Sequence, residues 1–182
     1  QAIRNQLERT QFLEHSVPLY LTSSFVFEDA EDMRASFAEE KDRNIYSRYS
    51  NPNTNEFVDK VCAMEGAAAG FAFASGMAAV YSTLAALLKS GDHIVSSSSV
   101  FGATHSLFIN YFPKWNIETS YFDINKPETI EGLITPDTKI LFAESPTNPA
   151  VDIIDLELLG NIAKKHNLIL IIDNCFATPY LQ

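Results

Sequence analysis

Cysteine is scarce in this sequence, and positive charge is in short supply. Cys62 and Cys175 are the only cysteines in 182 residues and form no CxxC pair, so neither a disulfide framework nor a cysteine zinc site is expected. His15, His93, His105 and His166 lack metal-ligand spacing, so no metal centre is expected either. Thirteen basic against 23 acidic side chains leave a net charge of −10, the wrong sign for a nucleic-acid or anionic-membrane surface. Neither GxGxxG nor GxxxxGK[ST] occurs, which argues against a generic nucleotide-binding domain. Residues 66–88 form an uncharged run long enough to span a bilayer, but the run is rich in Ala, Ser and Gly and breaks at Ser75-Gly76. A buried strand followed by a buried helix is expected there, with no membrane span. The first 30 residues mix charges with short apolar patches and carry no signal- or transit-peptide pattern, so the expected setting is cytoplasmic.

With 46% hydrophobic residues the chain can bury one real core and has little room for another. Its organising stretch is Phe71-Ala-Phe-Ala-Ser-Gly-Met-Ala-Ala-Val-Tyr81. Residues 71–74 are a compact apolar run, expected as a short buried strand. From Met77 the spacing becomes helical through Val80, Tyr81, Leu84, Leu87 and Leu88, and Lys89 and Gly91 close the helix. A strand that opens into a helix at Ser-Gly presents backbone N–H groups and a positive dipole end, a ready site for a phosphate.

Before this stretch the chain reads as an amphipathic segment to about residue 15, an extended arm over 17–27, and a helix over 29–40. A polar loop over 44–55 and a helix over 56–65 follow. After it, strands at 93–96, 117–121, 139–143 and 168–172 alternate with helices at 102–112, 127–132 and 155–166. Aliphatic strands separated by helices indicate an α/β fold with a mostly parallel, doubly wound sheet. Such a sheet holds its ligands beyond the carboxyl ends of its strands, where Ser75-Gly76, residues 97–101, 144–148 and 173–175 would gather.

Several residues at this edge carry chemistry. Asp173 follows Leu-Ile-Leu-Ile-Ile directly, so its carboxylate is partly desolvated and needs a partner. A neighbouring turn could supply that partner as well as a ligand could. Asn148 lies between Thr147 and Pro149, either as a turn former or as a ligand contact. Tyr46 and Arg48 stand two apart in the polar loop, and an arginine is well suited to gripping a phosphate. Phe101 could offer a ring face, although plain packing aromatics are equally common.

Five motifs in order and spacing resemble the Cys/Met-metabolism enzymes that use pyridoxal phosphate. They are Tyr46-Ser-Arg48-Tyr-Ser-Asn-Pro, Ser75-Gly-Met-Ala-Ala79, Val100-Phe-Gly-Ala-Thr104, Glu144-Ser-Pro-Thr-Asn-Pro149 and Asp173-Asn-Cys-Phe-Ala-Thr-Pro179. Val17-Pro-Leu-Tyr-Leu-Thr-Ser-Ser-Phe25 looks like the family's entry segment, so the resemblance covers essentially the whole chain. It implies the aminotransferase-like type I fold: residues 1–52 as an N-terminal arm with an intersubunit loop, and 53–182 as the first part of the large cofactor domain.

The resemblance also implies roles. Ser75, Gly76 and Met77 would cradle the cofactor phosphate, and Phe101 would lie against the ring. Asn148 would bond the phenolic oxygen, Asp173 the pyridine nitrogen, and Cys175 would stand under the ring where Thr is more widespread. Tyr46 and Arg48 would reach the phosphate of a neighbouring subunit, so a dimer, commonly a dimer of dimers, is implied. The family's Schiff-base lysine occurs in a Ser-x-x-Lys context, which no lysine here has. That residue is therefore expected beyond Gln182, and the 182 residues alone are expected to be inactive.

Within the family, Phe101 stands where many members carry a Tyr credited with proton transfer in elimination, and a phenyl ring cannot move a proton. Ala103 stands where methionine-degrading lyases usually carry Cys. Residues 99–108 together with Asp173-Asn-Cys175 resemble the branch that joins sulfide to O-succinylhomoserine. The implied activity is γ-replacement on an O-succinyl- or O-acetylhomoserine ester, with sulfide or cysteine as nucleophile. The alternatives are cystathionine γ-synthase or γ-lyase chemistry, or a non-catalytic assembly piece.

Overall fold

The computed structural model describes residues 9–182. The amphipathic segment expected to about residue 15 thus falls mostly outside the described residues. Two compact units divide the chain, Gln1–Ala72 and Phe73–Gln182.

In the first unit, helix α1 spans Ala30–Phe37, and the Asp29 side chain caps it by accepting the Asp32 N–H. Helix α2 spans Pro52–Glu65 and ends at Gly66, whose φ of 65° is the left-handed turn that glycine adopts without penalty. The sequence reading starts this helix at Glu56 and leaves 44–55 as loop. The structure corrects it, because Asn51 accepts the Asn53 N–H and Pro52 is preset for a first helical turn. Residues 17–27, expected as an extended arm, carry one bridge residue, Ser24, with a tight turn at 20–22 closed by Thr22 N–H donating to Tyr20 O at 2.9 Å. They are held to the polar loop by the Ser24–Tyr46 bridge and by Ser47 N–H donating to Ser23 O at 2.8 Å.

The second unit holds helix α3 (Gly76–Leu87) and strand β1 (His93–Ser97), then helix α4 (Gly102–Ser106) and strand β2 (Glu118–Phe122). Helix α5 (Ile130–Leu133), strand β3 (Thr138–Glu144), helix α6 (Leu156–His166), strand β4 (Ile169–Asp173) and helix α7 (Thr178–Leu181) complete it. All strand pairings are parallel, in the order β2-β1-β3-β4. The direction in which strands are added therefore reverses between β1 and β3, since the chain leaves β1 for β2 on one side and returns to β3 on the other. This is the switch point where such sheets open a crevice.

Side-chain alternation puts a core on each face. Val95, Leu141 and Ala143 pack with Ile130 of α5 and Leu159, Ile162 and Ala163 of α6. Ile94, Ile140 and Phe142 pack on the other face with Leu84 of α3 and with Phe108 and Phe112 beyond α4. Two-sided burial explains why the strands read as aliphatic runs rather than as alternating patterns.

Two expectations are corrected here. Residues 71–74 form no strand, since every pairing in the sheet runs among β1–β4. An apolar run signals burial or pairing, but a strand exists only where a neighbour supplies the ladder. The helix expected over 102–112 is three pieces: α4, a π-helical turn at Leu107–Tyr111 and a 3-10 turn at Phe112–Trp115. Among the described residues, no helix is long and apolar enough to cross a membrane, and no cluster of His, Cys, Asp and Glu could hold a metal ion.

Candidate active site

At the start of α3, Ser75 is the N-cap, and its hydroxyl accepts the Ala78 N–H at 3.1 Å. The N–H groups of Gly76 and Met77 belong to the first turn, which an α-helix cannot satisfy from within. Met77 is tied to the neighbouring helix by Thr104 Oγ1, which lies 3.8 Å from its sulfur. The helix start thus has a fixed position relative to α4, the helix that follows Phe101.

A cavity of about 240 Å³ lies against this helix, with Gly76, Ala79, Asp173, Asn174 and Cys175 in its wall. The structure therefore gathers Gly76, Asp173 and Cys175 around one space, while Ser75 and Met77 flank Gly76. Asp173 is half-buried, and one of its oxygens accepts the Cys175 N–H at 3.0 Å. That bond turns the chain out of β4 and leaves the rest of the carboxylate free to bond a ligand.

The Phe101 main chain is held by Glu144, a member of the Glu144-Ser-Pro-Thr-Asn-Pro149 motif to which the sequence assigns no role. Glu144 closes β3 and is 5% exposed. Its Oε2 accepts the Phe101 N–H at 2.6 Å, and the Asn148 main chain also acts on its carboxylate. Burial pushes the Glu144 carboxyl above its ordinary value and the nearby Asp173 charge adds to this, while the Phe101 N–H and the Asn148 main chain act the other way. The signal that could have found it is the one that found Asp173, an acidic residue directly after an apolar strand. The same loop holds Ser145 and Thr147, both fully buried, with Ser145 N–H donating to Asp173 O at 3.1 Å.

Tyr46 and Arg48 belong to the first unit. There the Arg48 guanidinium lies 5.0 Å from the Tyr46 ring centre and 5.6 Å from that of Tyr49. Both Tyr46 and Arg48 are exposed, and the aromatic contacts keep the arginine beside its loop.

A parallel α/β sheet with an anion-ready helix start and a carboxylate sharing one cavity at its carboxyl edge is the arrangement of a phosphate-bearing cofactor domain. The whole chain, residues 1–182, matches the family model "Cys/Met metabolism PLP-dependent enzyme", and the chain belongs to that family, whose cofactor is pyridoxal phosphate. It is 42% identical over 181 residues to the O-succinylhomoserine sulfhydrylase of Pseudomonas aeruginosa, covering 100% of this chain and 45% of that protein. It is 38% identical to the L-methionine gamma-lyase of Fusobacterium nucleatum, covering 92% of this chain and 42% of the relative. A crystal structure from Campylobacter jejuni, named for O-acetylhomoserine (thiol)-lyase and holding N'-pyridoxyl-lysine-5'-monophosphate, superposes with a TM-score of 0.93 at 36% identity. That superposition covers 98% of this chain and 44% of the solved one. The chain thus spans under half the length of these relatives, and its fold is the α/β type I fold that they share.

Proposed function

We propose that these residues are part of an enzyme performing γ-replacement on an O-acylhomoserine, joining sulfide to the four-carbon skeleton to give homocysteine. The observation that carries the cofactor side of this reading is the cavity shared by Gly76 and Asp173. A phosphorylated pyridine aldehyde fits this donor set: main-chain N–H groups suit its phosphate, and a half-buried carboxylate suits its ring nitrogen. When bound, the cofactor supplies an electron sink for charge developing on the amino acid.

The chain's own residues then divide the work. Gly76 and Met77 N–H groups and the Ser75 hydroxyl hold the phosphate. Asp173 keeps a proton on the ring nitrogen, and Asn148 donates to the phenolic oxygen. Phe101 lies against one ring face, and Cys175 lies beneath the other. Tyr46 and Arg48 serve the phosphate of a neighbouring subunit, giving a dimer or a dimer of dimers. The covalent lysine is supplied by a part of the protein outside these residues, so this chain alone is inactive.

Replacement is favoured over elimination by Phe101, whose ring has no hydroxyl to move a proton. The 42% identity to a sulfhydrylase over the whole chain supports the same branch. In the complete protein, O-succinyl- and O-acetylhomoserine supplied with sulfide should each be assayed for homocysteine. Release of 2-oxobutyrate and ammonia alone would assign a γ-lyase and end the replacement reading. Cystathionine formation when cysteine replaces sulfide would assign the synthase instead. Asp173→Asn should lower activity by at least about a hundredfold, because a neutral amide cannot hold the ring-nitrogen proton.

A further inference from the structure

Glu144 has no task in the reading above, yet its placement is unusual. It is a carboxylate 5% exposed at the switch point between β1 and β3. The ion pairs among the described residues give it no Lys or Arg partner. The hydrogen bond that compensates it comes from a main-chain donor on a loop that leaves a different strand. That donor, the Phe101 N–H, follows β1. A buried charge is normally expensive unless several hydrogen bonds replace its water. An apolar residue would fill this position at less cost if packing were the whole requirement.

We infer that Glu144 is a positioning residue for the cofactor ring. By binding the Phe101 N–H from its place beside Asp173, its carboxylate sets where the stacking side chain stands relative to the ring-nitrogen partner. The inference rests on the proposed cofactor site. Charge-assisted bonds to main-chain donors are the short, strong kind, and the 2.6 Å contact to Phe101 is one of them. Alternation along β3 puts Glu144 on the face of Phe142, the face covered by α3. In register across the sheet it stands opposite Asp173, the ring-nitrogen partner. Two side chains expected around one ring, those of Phe101 and Asp173, are therefore tied to a single strand-end pair, while the phosphate end at Gly76 is held separately by the Ser75 cap. Loss of the Glu144 bond should loosen the ring and leave the phosphate grip alone.

The test uses the complete protein stripped of cofactor, comparing wild type with Glu144→Gln. Glutamine keeps the shape but offers one acceptor oxygen and turns an unwanted NH₂ donor toward main-chain N–H groups. The variant is expected to melt cooperatively and to bind inorganic phosphate as wild type does. It should bind pyridoxal 5'-phosphate about tenfold more weakly, with altered circular dichroism from the bound chromophore. Equal pyridoxal-phosphate affinity in both proteins overturns the inference. Parallel weakening of both ligands overturns it as well, because it marks a general structural loss. Wild type that binds no pyridoxal phosphate defeats the cofactor reading instead, so the two failures are distinct. If the variant does not fold, hydrogen exchange on wild type decides: the Phe101 amide should be protected, and its rapid exchange overturns the proposal.

Discussion

Glu144 and Asp173 are partners in register at the last rung between β3 and β4. Register partners in a parallel pair project to the same face, here the face that α3 covers. Two acidic groups meet at one edge, and the structure separates their tasks by donors: Glu144 takes the Phe101 N–H, and Asp173 takes that of Cys175.

The Glu144 carboxyl is raised, chiefly by burial. Its protonated form is therefore favoured more in the folded than in the unfolded state. This stabilises the fold below the ordinary carboxylate range, and the contribution is lost as pH climbs through the raised value. Glutamine does not titrate. The deficit in melting temperature of Glu144→Gln relative to wild type should therefore shrink between pH 5 and pH 8. A deficit that widens over that interval would show the carboxyl to be lowered instead.

His93 carries the opposite sign. It is buried on β1, with Nδ1 2.8 Å from Thr138 Oγ1 on β3 and Nε2 3.0 Å from Ser120 Oγ on β2. Burial lowers its pKa, against the weaker pull of Glu118 and Asp137. A neutral ring joins three strands, while the unfolded chain takes up a proton near pH 6.5. Stability from this residue is thus complete above about pH 6.5 and falls as pH drops below it. Thermal melts from pH 8 to pH 5 should show a decline that His93→Gln shares only in part. Identical pH profiles for the two proteins would remove His93 from the account.

How much of this was legible beforehand depended on whether a signal was local. The four strands could be read because burial on both faces makes each an aliphatic run, and Asp155 stands at the cap position its side chain fills, whereas the Asn51 cap was hidden among the turn formers of the polar loop. The Phe71–Ala74 run has the same apolar character, but no strand of the sheet pairs with it, and partner choice is not written in the run itself. The stripe on α3 shows a similar limit, since Leu84 is fully buried whereas Tyr81 and Leu87 on the same stripe stay exposed. Apolar spacing reports which residues could be buried, and only the neighbouring elements decide which are. The π turn at Leu107–Tyr111 could not be seen either, because one wide turn hardly alters the positions of Phe108 and Phe112 in the pattern. At the site, Asp173 and Glu144 carry the same mark, and Glu144 was passed over because its partners are main-chain groups, which side-chain motifs do not reveal.

Phe142 links the core to the cavity. It is fully buried on β3, meets Phe108 edge-to-face with ring centres 5.5 Å apart, and its side chain also lines the space beside Gly76. Phe142→Ala should cost about 3–5 kcal/mol, the usual penalty for emptying a phenylalanine site. In urea the midpoint should fall while the slope stays the same. A loss well under about 1 kcal/mol would mean that the neighbours collapse into the space.

Asp32 organises the approach to the Tyr46–Arg48 loop. Its side chain is almost fully enclosed; it accepts Lys41 Nζ at 2.5 Å, pairs with Arg43, and takes the Glu28 N–H at 3.1 Å. Arg43 in turn donates to Val26 O at 2.7 Å and lies over the Phe27 ring. The Lys41 hydrogen bond, followed by the Glu28 N–H and the cationic charges, lowers the Asp32 carboxyl below its ordinary value. The contribution of this residue is therefore present above the ordinary aspartate range and disappears as pH falls through the lowered value. Asp32→Asn removes the charge and keeps the shape, so residues 38–45 lose the anchor that holds them against α1. Trypsin should then cut after Lys41 and Arg43 several times faster in the variant than in wild type at neutral pH. Acidifying wild type toward pH 3 should open the same segment, read by hydrogen exchange because trypsin is inactive there. Unchanged cleavage in Asp32→Asn would mean that the main-chain bonds between residues 23–25 and 45–47 hold the loop without it.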